Sequence, residues 1–516
     1  MSDISEKLSI KSHLIVMSQL SQNRIHKFSI KFDNKDMLDC QNLLDLRKIS
    51  KVTISGEISA EGSQNWLLNA KVGASITQAC VVTTDDVNTR IDQDIVRHYF
   101  ADLETHEENF SGEEDLDAVL SDPRVVSALA ELKVREPEAV QEQFRLTEIP
   151  APPFKEDRRA AYFLEQLKAR GLEDAYLDAE GNAIGVRKGS GNGPLLLIAA
   201  HLDTVFPEGV DTTVQLRDGR YYAPGIGDDT RGLAAMLSVI DILNDSGIQT
   251  EADIMFAGNV GEEGRGDLRG IKAIFRDHPS IDGFISIDGV RLGRITNGGT
   301  GSRRFEFQFN GPGGHSFGAF GLASAIHAMG RAIAKIGDLE TPSSPKTTFT
   351  VGTVAGGTSV NSIAADAVFA IDMRSNDREQ LALLEQRAKD AALEAVAEEN
   401  ARWNRGEITV DFVLIGDRPV GHTPSDSPLV QLTSLAFEQL GVDFRGLSIS
   451  STDSNVPMSL GIPAITIDGG GEGGGAHSPD EWFVPTDSHL GPQASLLVIL
   501  GLAGIDGVSD AQLKKL

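Results

Sequence analysis

At 516 residues the chain is too long for one hydrophobic core and implies several domains, and its formal net charge of -28 argues against non-specific attraction to nucleic acid. No apolar run approaches membrane-spanning length, which excludes a membrane-embedded helix. Two cysteines, Cys40 and Cys80, imply no disulfide framework, and the short stretch LIVM near the N-terminus lacks the longer core and cleavage pattern of a signal peptide, so a cytoplasmic location is expected.

Residues 1–115 read as a small β-rich module. In SKVTISGEISAEGSQNWLLNAKVGASITQACVVTTDDV, alternating apolar and polar positions are interrupted by turn residues, which predicts an antiparallel sheet. Trp66, Ala70, the QACVVT run containing Cys80 and the following IDQDIVRHYF resemble the large ribosomal RNA accumulation family of bacterial proteins. The further sequence with which that family continues is missing before the next module. Cys80 is expected to be a core residue rather than a reactive thiol. The acidic, Gly- and Ser-containing stretch ETHEENFSGEEDLDAV reads as a linker.

DPRVVSALAEL through RRAAYFLEQLKARG predicts helices, with the Pro-rich EIPAPPF loop between them. The turn GSGNG then opens PLLLIAA, an aliphatic run suited to a strand buried on both faces of a parallel sheet. His201 and Asp203 follow at its carboxyl end, where such sheets place their ligands, and their i, i+2 spacing puts both on one face. One can bind a metal while the other orients it, although for an isolated His-x-Asp a polar strand cap is the first reading.

In YYAPGIGDDTRGLAAML, Gly225 and Gly227 precede Asp228 and Asp229 at the start of a helical pattern. Asp229 or Thr230 suits the helix cap, whereas the two oxygens of Asp228 can bridge a pair of cations. The strand ADIMFAGNVG ends in Glu262-Glu263, and neighbouring carboxylates repel unless a cation or proton separates them. That suggests divided labour, one ligating and one moving protons; a solvated loop is the alternative. GFISIDG ends in Asp288, and GGGEGGGAHSPDEWF delivers His477. Two imidazoles with three carboxylates form a mixed nitrogen and oxygen donor set, better suited to Zn, Mn or Co than to Ca.

Between these motifs, residues from about 300 to 417 read as an inserted α/β lid, with strand-like FEFQF and TTFTVGTV beside Ala-rich helical runs.

From about residue 122 to 516, the motifs and their order resemble the co-catalytic metallopeptidases and deacylases, the group of peptidase T, acetylornithine deacetylase, succinyl-diaminopimelate desuccinylase and the aminoacylases. The resemblance implies an α/β fold: a mixed-sheet zinc-exopeptidase catalytic domain in two parts, 116–299 and 418–516, and an inserted lid and dimerisation domain, 300–417. It implies that His201, Asp228 and Asp288 hold one divalent metal and Asp228, Glu263 and His477 a second, Zn first with Co or Mn open. Glu262 would be the general base and Asp203 would orient His201. His315, in FEFQFNGPGGHSFG, would reach a catalytic site, often that of the opposite subunit. Asn361 and Arg374, in VNSIAADAVFAIDMRS, would contact the substrate carboxylate or the tetrahedral oxygen, although Arg374 also fits the solvent face of a strand.

The activity implied is amide hydrolysis by a metal-activated water. The loop before His477 favours an exopeptidase acting on short peptides; N-acyl amino acid deacylation is the alternative, because the surrounding pocket sets selectivity. A non-catalytic ribosome-biogenesis factor is a further reading, weakened by the presence of all five ligand positions. A homodimer through the lid is implied, with no membrane partner and no nucleic acid for the catalytic part.

Overall fold

The computed structural model describes residues 24, 26–32, 37–38, 41, 47–61, 65–79, 86–99, 112–172, 174–191 and 193–516. Cys40, Cys80, the LIVM stretch and residues 104–111 of the expected linker lie outside them. The chain divides into two compact units, before and after residue 111.

In the first unit, His26–Lys31, Lys48–Glu61, Asn65–Ala79 and Asp86–Tyr99 pair in chain order as the antiparallel sheet that the alternation predicts. Val52, Ala74 and Ile76 form its buried centre, with Phe32, Met37 and Ile49 packed against them.

The second unit opens on the helix Gly112–Ser121, where a linker was expected. Leu116 and Val119 stand one turn apart among the acids and are buried, so this segment packs an apolar edge that its composition conceals. The predicted helices follow as Pro123–Val134, Glu136–Thr147 and Asp157–Ala169, the first capped by Asp122, whose carboxylate accepts the Arg124 amide at 2.8 Å.

A nine-stranded mixed sheet forms the centre. Leu195–His201 lies between Asp253–Asn259 and Gly283–Ile287, and Ala464–Ile467 pairs with the latter, all four strands parallel. Leu195–His201 is the run read as a doubly buried strand, and helices explain why: Thr230–Asp245 packs against it, and Ile271 and Ile274 of the helix Arg269–Asp277 share a core with its Leu197 and Ala199. The margins, Ala183–Arg187 on one side and Arg294–Gly299 on the other, run antiparallel to their inner neighbours.

A separate antiparallel sheet orders Thr347–Gly356, Asp366–Ser375, Gly301–Asn310 and Thr409–Arg418. Helices Ala325–Gly337 and Arg378–Trp403 pack on it over a core that includes Phe305, Phe307, Phe309 and Phe369. The chain enters this layer past Thr300 and leaves past Pro419, and the Asn455 side-chain amide donates to both carbonyls at 2.9 Å. Arg265 pairs with Glu306 at 3.2 Å, and Arg304 donates to the Gly264 carbonyl at 2.7 Å, so the lid sheet leans on the loop after Glu262 and Glu263. Among the described residues no helix is long and apolar enough to cross a membrane.

Candidate active site

Parallel pairing brings His201 opposite Asn259, so the ends of the central strands deliver their polar residues to one edge. His201 is buried; its Nε2 lies 3.0 Å from Asp228 Oδ1 and its Nδ1 3.0 Å from the Asp203 carbonyl, with the Asp203 carboxylate at 3.6 Å. Asp203 therefore does more than steer the imidazole. Its two oxygens accept the amides of Glu262 and Glu263 at 3.0 and 2.8 Å, which fixes the loop carrying both glutamates. Burial raises the Asp203 pKa, but His201 and those two amides outweigh it and hold the carboxyl below its ordinary range.

Asp229 caps the helix Thr230–Asp245, as one reading of the pair expected: its oxygens accept the amides of Gly232 and His201, each at 3.1 Å. Asp228 is left to face the cleft. One of its oxygens meets His201 and the other meets His477 Nε2 at 3.2 Å. Burial acts against its charge, yet the two histidines keep its pKa below the usual carboxylate range. His477 also reaches Glu263 Oε1 at 3.0 Å, and these two carboxylates push its pKa up to about 10. It stands at the tip of a hairpin, Glu472–Gly474 against Trp482–Val484, so the Gly-rich tract is a defined turn. Asp288 ends Gly283–Ile287, its amide donating to Ile467 O at 2.8 Å; burial and the Asp228 charge push its pKa up to about 7.

Three residues that the sequence reading passed over complete the cluster. Glu481 is buried; Oε2 accepts the Gly225 amide at 2.8 Å, and Oε1 accepts those of Gly227 and Asp228 at 2.8 and 3.0 Å. Arg418, at the end of a lid strand, donates to Glu262 Oε1 at 3.2 Å, to the Glu262 carbonyl and to Ser451 Oγ at 3.1 Å. Burial raises the Glu262 pKa well above its ordinary value, Arg418 opposing and Glu263 adding to the rise. Asp453 accepts from Asn259 at 2.7 Å through one oxygen, while the other is buried without a hydrogen-bond partner; burial pushes its pKa up to about 6. Glu481 was discernible only as an acid four residues after His477, and neither Arg418 nor Asp453 carries a local motif.

The carboxyls of Asp203, Asp228, Asp229, Glu262, Glu263, Asp288 and Asp453 thus share one edge, and the guanidiniums of Arg159 and Arg418 border it. Such an excess of buried negative charge is the electrostatic form of a cation site. The donors fit two ions. His201, Asp228 and Asp288 offer ligand atoms within 4.8 Å of one another, as do Asp228, Glu263 and His477, with Asp228 common to both groups.

The lid residues are distributed differently. His315 pairs opposite Ser362, and the Ser316 amide donates to Asn361 O at 2.9 Å, so His315 and Asn361 are neighbours. His315 Nδ1 accepts the amides of Phe317 and Gly318 at 3.3 and 3.2 Å. Arg374 stands opposite Ser302, near where the chain enters the lid, and pairs with Asp372 at 2.7 Å. The strand Asp366–Ser375 therefore separates Arg374 from the other two along its length.

A mixed α/β sheet carrying a two-ion donor cluster at its carboxyl edge, with a lid sheet inserted between its strands, defines the architecture of a dinuclear metallohydrolase. Residues 197–500 match the family model for Peptidase family M20/M25/M40, and the chain belongs to that family. It is 38% identical over 120 residues to a chain of Pyrococcus furiosus named for LysW-lysine/LysW-ornithine hydrolysis, a match covering 23% of this chain and 33% of that one. The chain thus spans about a third of the length of that relative. Over 323 residues it is 25% identical to carboxypeptidase G2 of a Pseudomonas species, covering 59% of this chain and 74% of the relative. Among solved structures it superposes on a tripeptidase from Staphylococcus aureus with a TM-score of 0.59 and 23% identity, covering 70% of this chain and 97% of that one.

Glu481→Gln keeps the shape of the side chain but removes its charge from the loop that presents Asp228, and is expected to weaken divalent-metal affinity by about 10- to 100-fold. Competition against a chromophoric chelator measures this; wild-type affinity would show that the loop holds Asp228 unaided.

Proposed function

We propose that the protein is a metal-dependent amide hydrolase, an exopeptidase acting on short peptides. The observation that carries this reading is Asp228, shared by two donor groups, beside a buried Glu262. His201, Asp228 and Asp288 would hold one divalent cation and Asp228, Glu263 and His477 the other, Zn in first place with Co or Mn as alternatives. When bound, the cations supply Lewis-acid polarisation of the scissile carbonyl and lower the pKa of the attacking water.

Glu262 takes the proton from that water and passes it to the leaving nitrogen, which completes cleavage of the C–N bond. Arg418 fixes its carboxylate through the 3.2 Å contact. Asp203 holds the Glu262–Glu263 backbone in place. His315 and Asn361 donate to the developing oxyanion, and Arg374 grips the substrate carboxylate.

We place the first two of these lid residues at the cleft of a second copy. Phe317 and Val360, which flank them, are exposed apolar side chains, as an interface would require. For the domain division we keep 116–299 and 418–516 as catalytic and 300–417 as lid. We infer a cytoplasmic enzyme. For residues 1–115 we keep the relationship to ribosomal RNA accumulation proteins, on Trp66, Ala70, the run containing Cys80 and IDQDIVRHYF. An intact-mass measurement of the native protein tests whether that module stays attached.

A panel of di- and tripeptides beside N-acetyl and N-succinyl amino acids decides the substrate class. Higher kcat/KM on the peptides is expected. Faster turnover of the acylated amino acids would replace the exopeptidase by a deacylase, and no turnover after Zn, Mn or Co loading would favour a non-catalytic platform.

A further inference from the structure

We propose that the cleft bordered by Arg291, Arg294 and Arg445 beside Asp228 receives a carboxylate of the substrate residue next to the scissile bond, so that the enzyme selects anionic substrates; this deepens the hydrolase reading and rests on it. The cleft has a volume of about 410 Å³ and contains Asp228 in its wall. Its cationic side is built by two loops. Arg291 lies in the short connection that follows Asp288 and Arg294 opens the strand after it, so the segment that leaves a proposed ligand presents both arginines. Arg445 locks that connection from outside: its backbone amide donates to Gly293 O at 2.6 Å, its Nε to Leu292 O at 3.0 Å and a terminal nitrogen to Arg291 O. The guanidinium is therefore positioned before any ligand arrives, which lowers the entropy lost on binding.

Another stretch of the lining, Gly473 to Ala476, leads directly to His477 and has almost no side chains. A Cβ at Gly473 would stand 2.7 Å from a Val290 methyl, so glycine keeps this wall thin. Charge accounting favours an anion. The Asp228 carboxylate in the wall is engaged by His201 and His477, and Glu481 is saturated by three backbone amides. That leaves Asp468, which pairs with Arg445 at 4.0 Å, as the one remaining acid of the lining against three guanidiniums. Guanidinium forks match the geometry of a carboxylate. Arg294 also borders a second cavity of about 250 Å³ that includes Asp288, Thr296 and Ser448, so it stands between the donor cluster and a hydroxyl-lined recess.

The carboxylate meant is that of an acidic side chain, because the terminal carboxylate is assigned to Arg374. The test uses metal-loaded full-length protein with alanyl-glutamate, alanyl-glutamine and the C-terminal amide of each. The proposal predicts a kcat/KM roughly 10- to 100-fold higher for glutamate than for glutamine; a fall on amidation with no preference for glutamate overturns it. In Arg294→Gln and Arg294→Glu proteins, the preference for glutamate should shrink at least tenfold, because the exposed Arg294 can change without disturbing the core. Equal kcat/KM on all four compounds, or a variant that loses acidic and neutral substrates equally, overturns the proposal while leaving the hydrolase intact. Absence of turnover on these and on every compound of the wider panel removes the hydrolase reading and this proposal together.

Discussion

Replacing Glu262 by Gln is expected to lower kcat by about 10²- to 10⁴-fold while both cations remain bound. The substitution keeps the volume of a buried side chain, and the backbone contacts that fix this position, its amide to Asp203 and its carbonyl to Arg418, do not involve the altered atoms. The two donor groups that share Asp228 retain all their members, since Glu262 falls only in a third group, with His201 and Glu263. What the amide cannot do is accept a proton from water and return it. Steady-state kinetics on a peptide substrate, alongside metal analysis of the same preparation, separates the two effects. A wild-type rate with both metals retained would remove Glu262 from the chemistry.

Asp228→Asn should have the opposite signature, with metal and turnover lost together. Asp228 is the member common to both donor groups, and each of its oxygens faces a different histidine, at 3.0 and 3.2 Å. An amide offers one neutral oxygen where the carboxylate offers two charged ones, so a bridging role cannot survive. The loss in metal affinity should exceed about 100-fold, beyond what removal of a residue supporting a ligand costs. The loop itself should persist, since Glu481 binds backbone amides that the substitution leaves in place. Equilibrium dialysis against Zn, with circular dichroism as a fold control, gives the answer; two tightly bound ions in the variant would refute the bridging assignment.

The site was readable where local pattern and chemistry coincide. Leu195–His201 could be read as a doubly buried strand because aliphatic residues at every position have no solvent face to offer, and His201 then falls at the strand end by counting. The same reasoning placed Glu262, Glu263 and Asp288. The antiparallel pairing of Ala183–Arg187 was not readable, because a short apolar run carries no mark of direction. Helix Gly112–Ser121 was hidden by its acids, since Leu116 and Val119 are two of only ten residues and four of the others are acidic. Arg418 and Asp453 act through partners more than a hundred residues away, Glu262 and Asn259, so no window of sequence contains the interaction. Glu481 shares a hairpin with His477, yet its target is the Gly225–Asp228 loop, and only the fold joins them.

The proposed chemistry needs a pair of cations around Asp228, and anomalous scattering from crystals of the Zn-loaded protein tests this most directly. Two anomalous peaks are predicted, one touching His201, Asp228 and Asp288 and the other touching Asp228, Glu263 and His477. A single peak, or peaks away from Asp228, would contradict it.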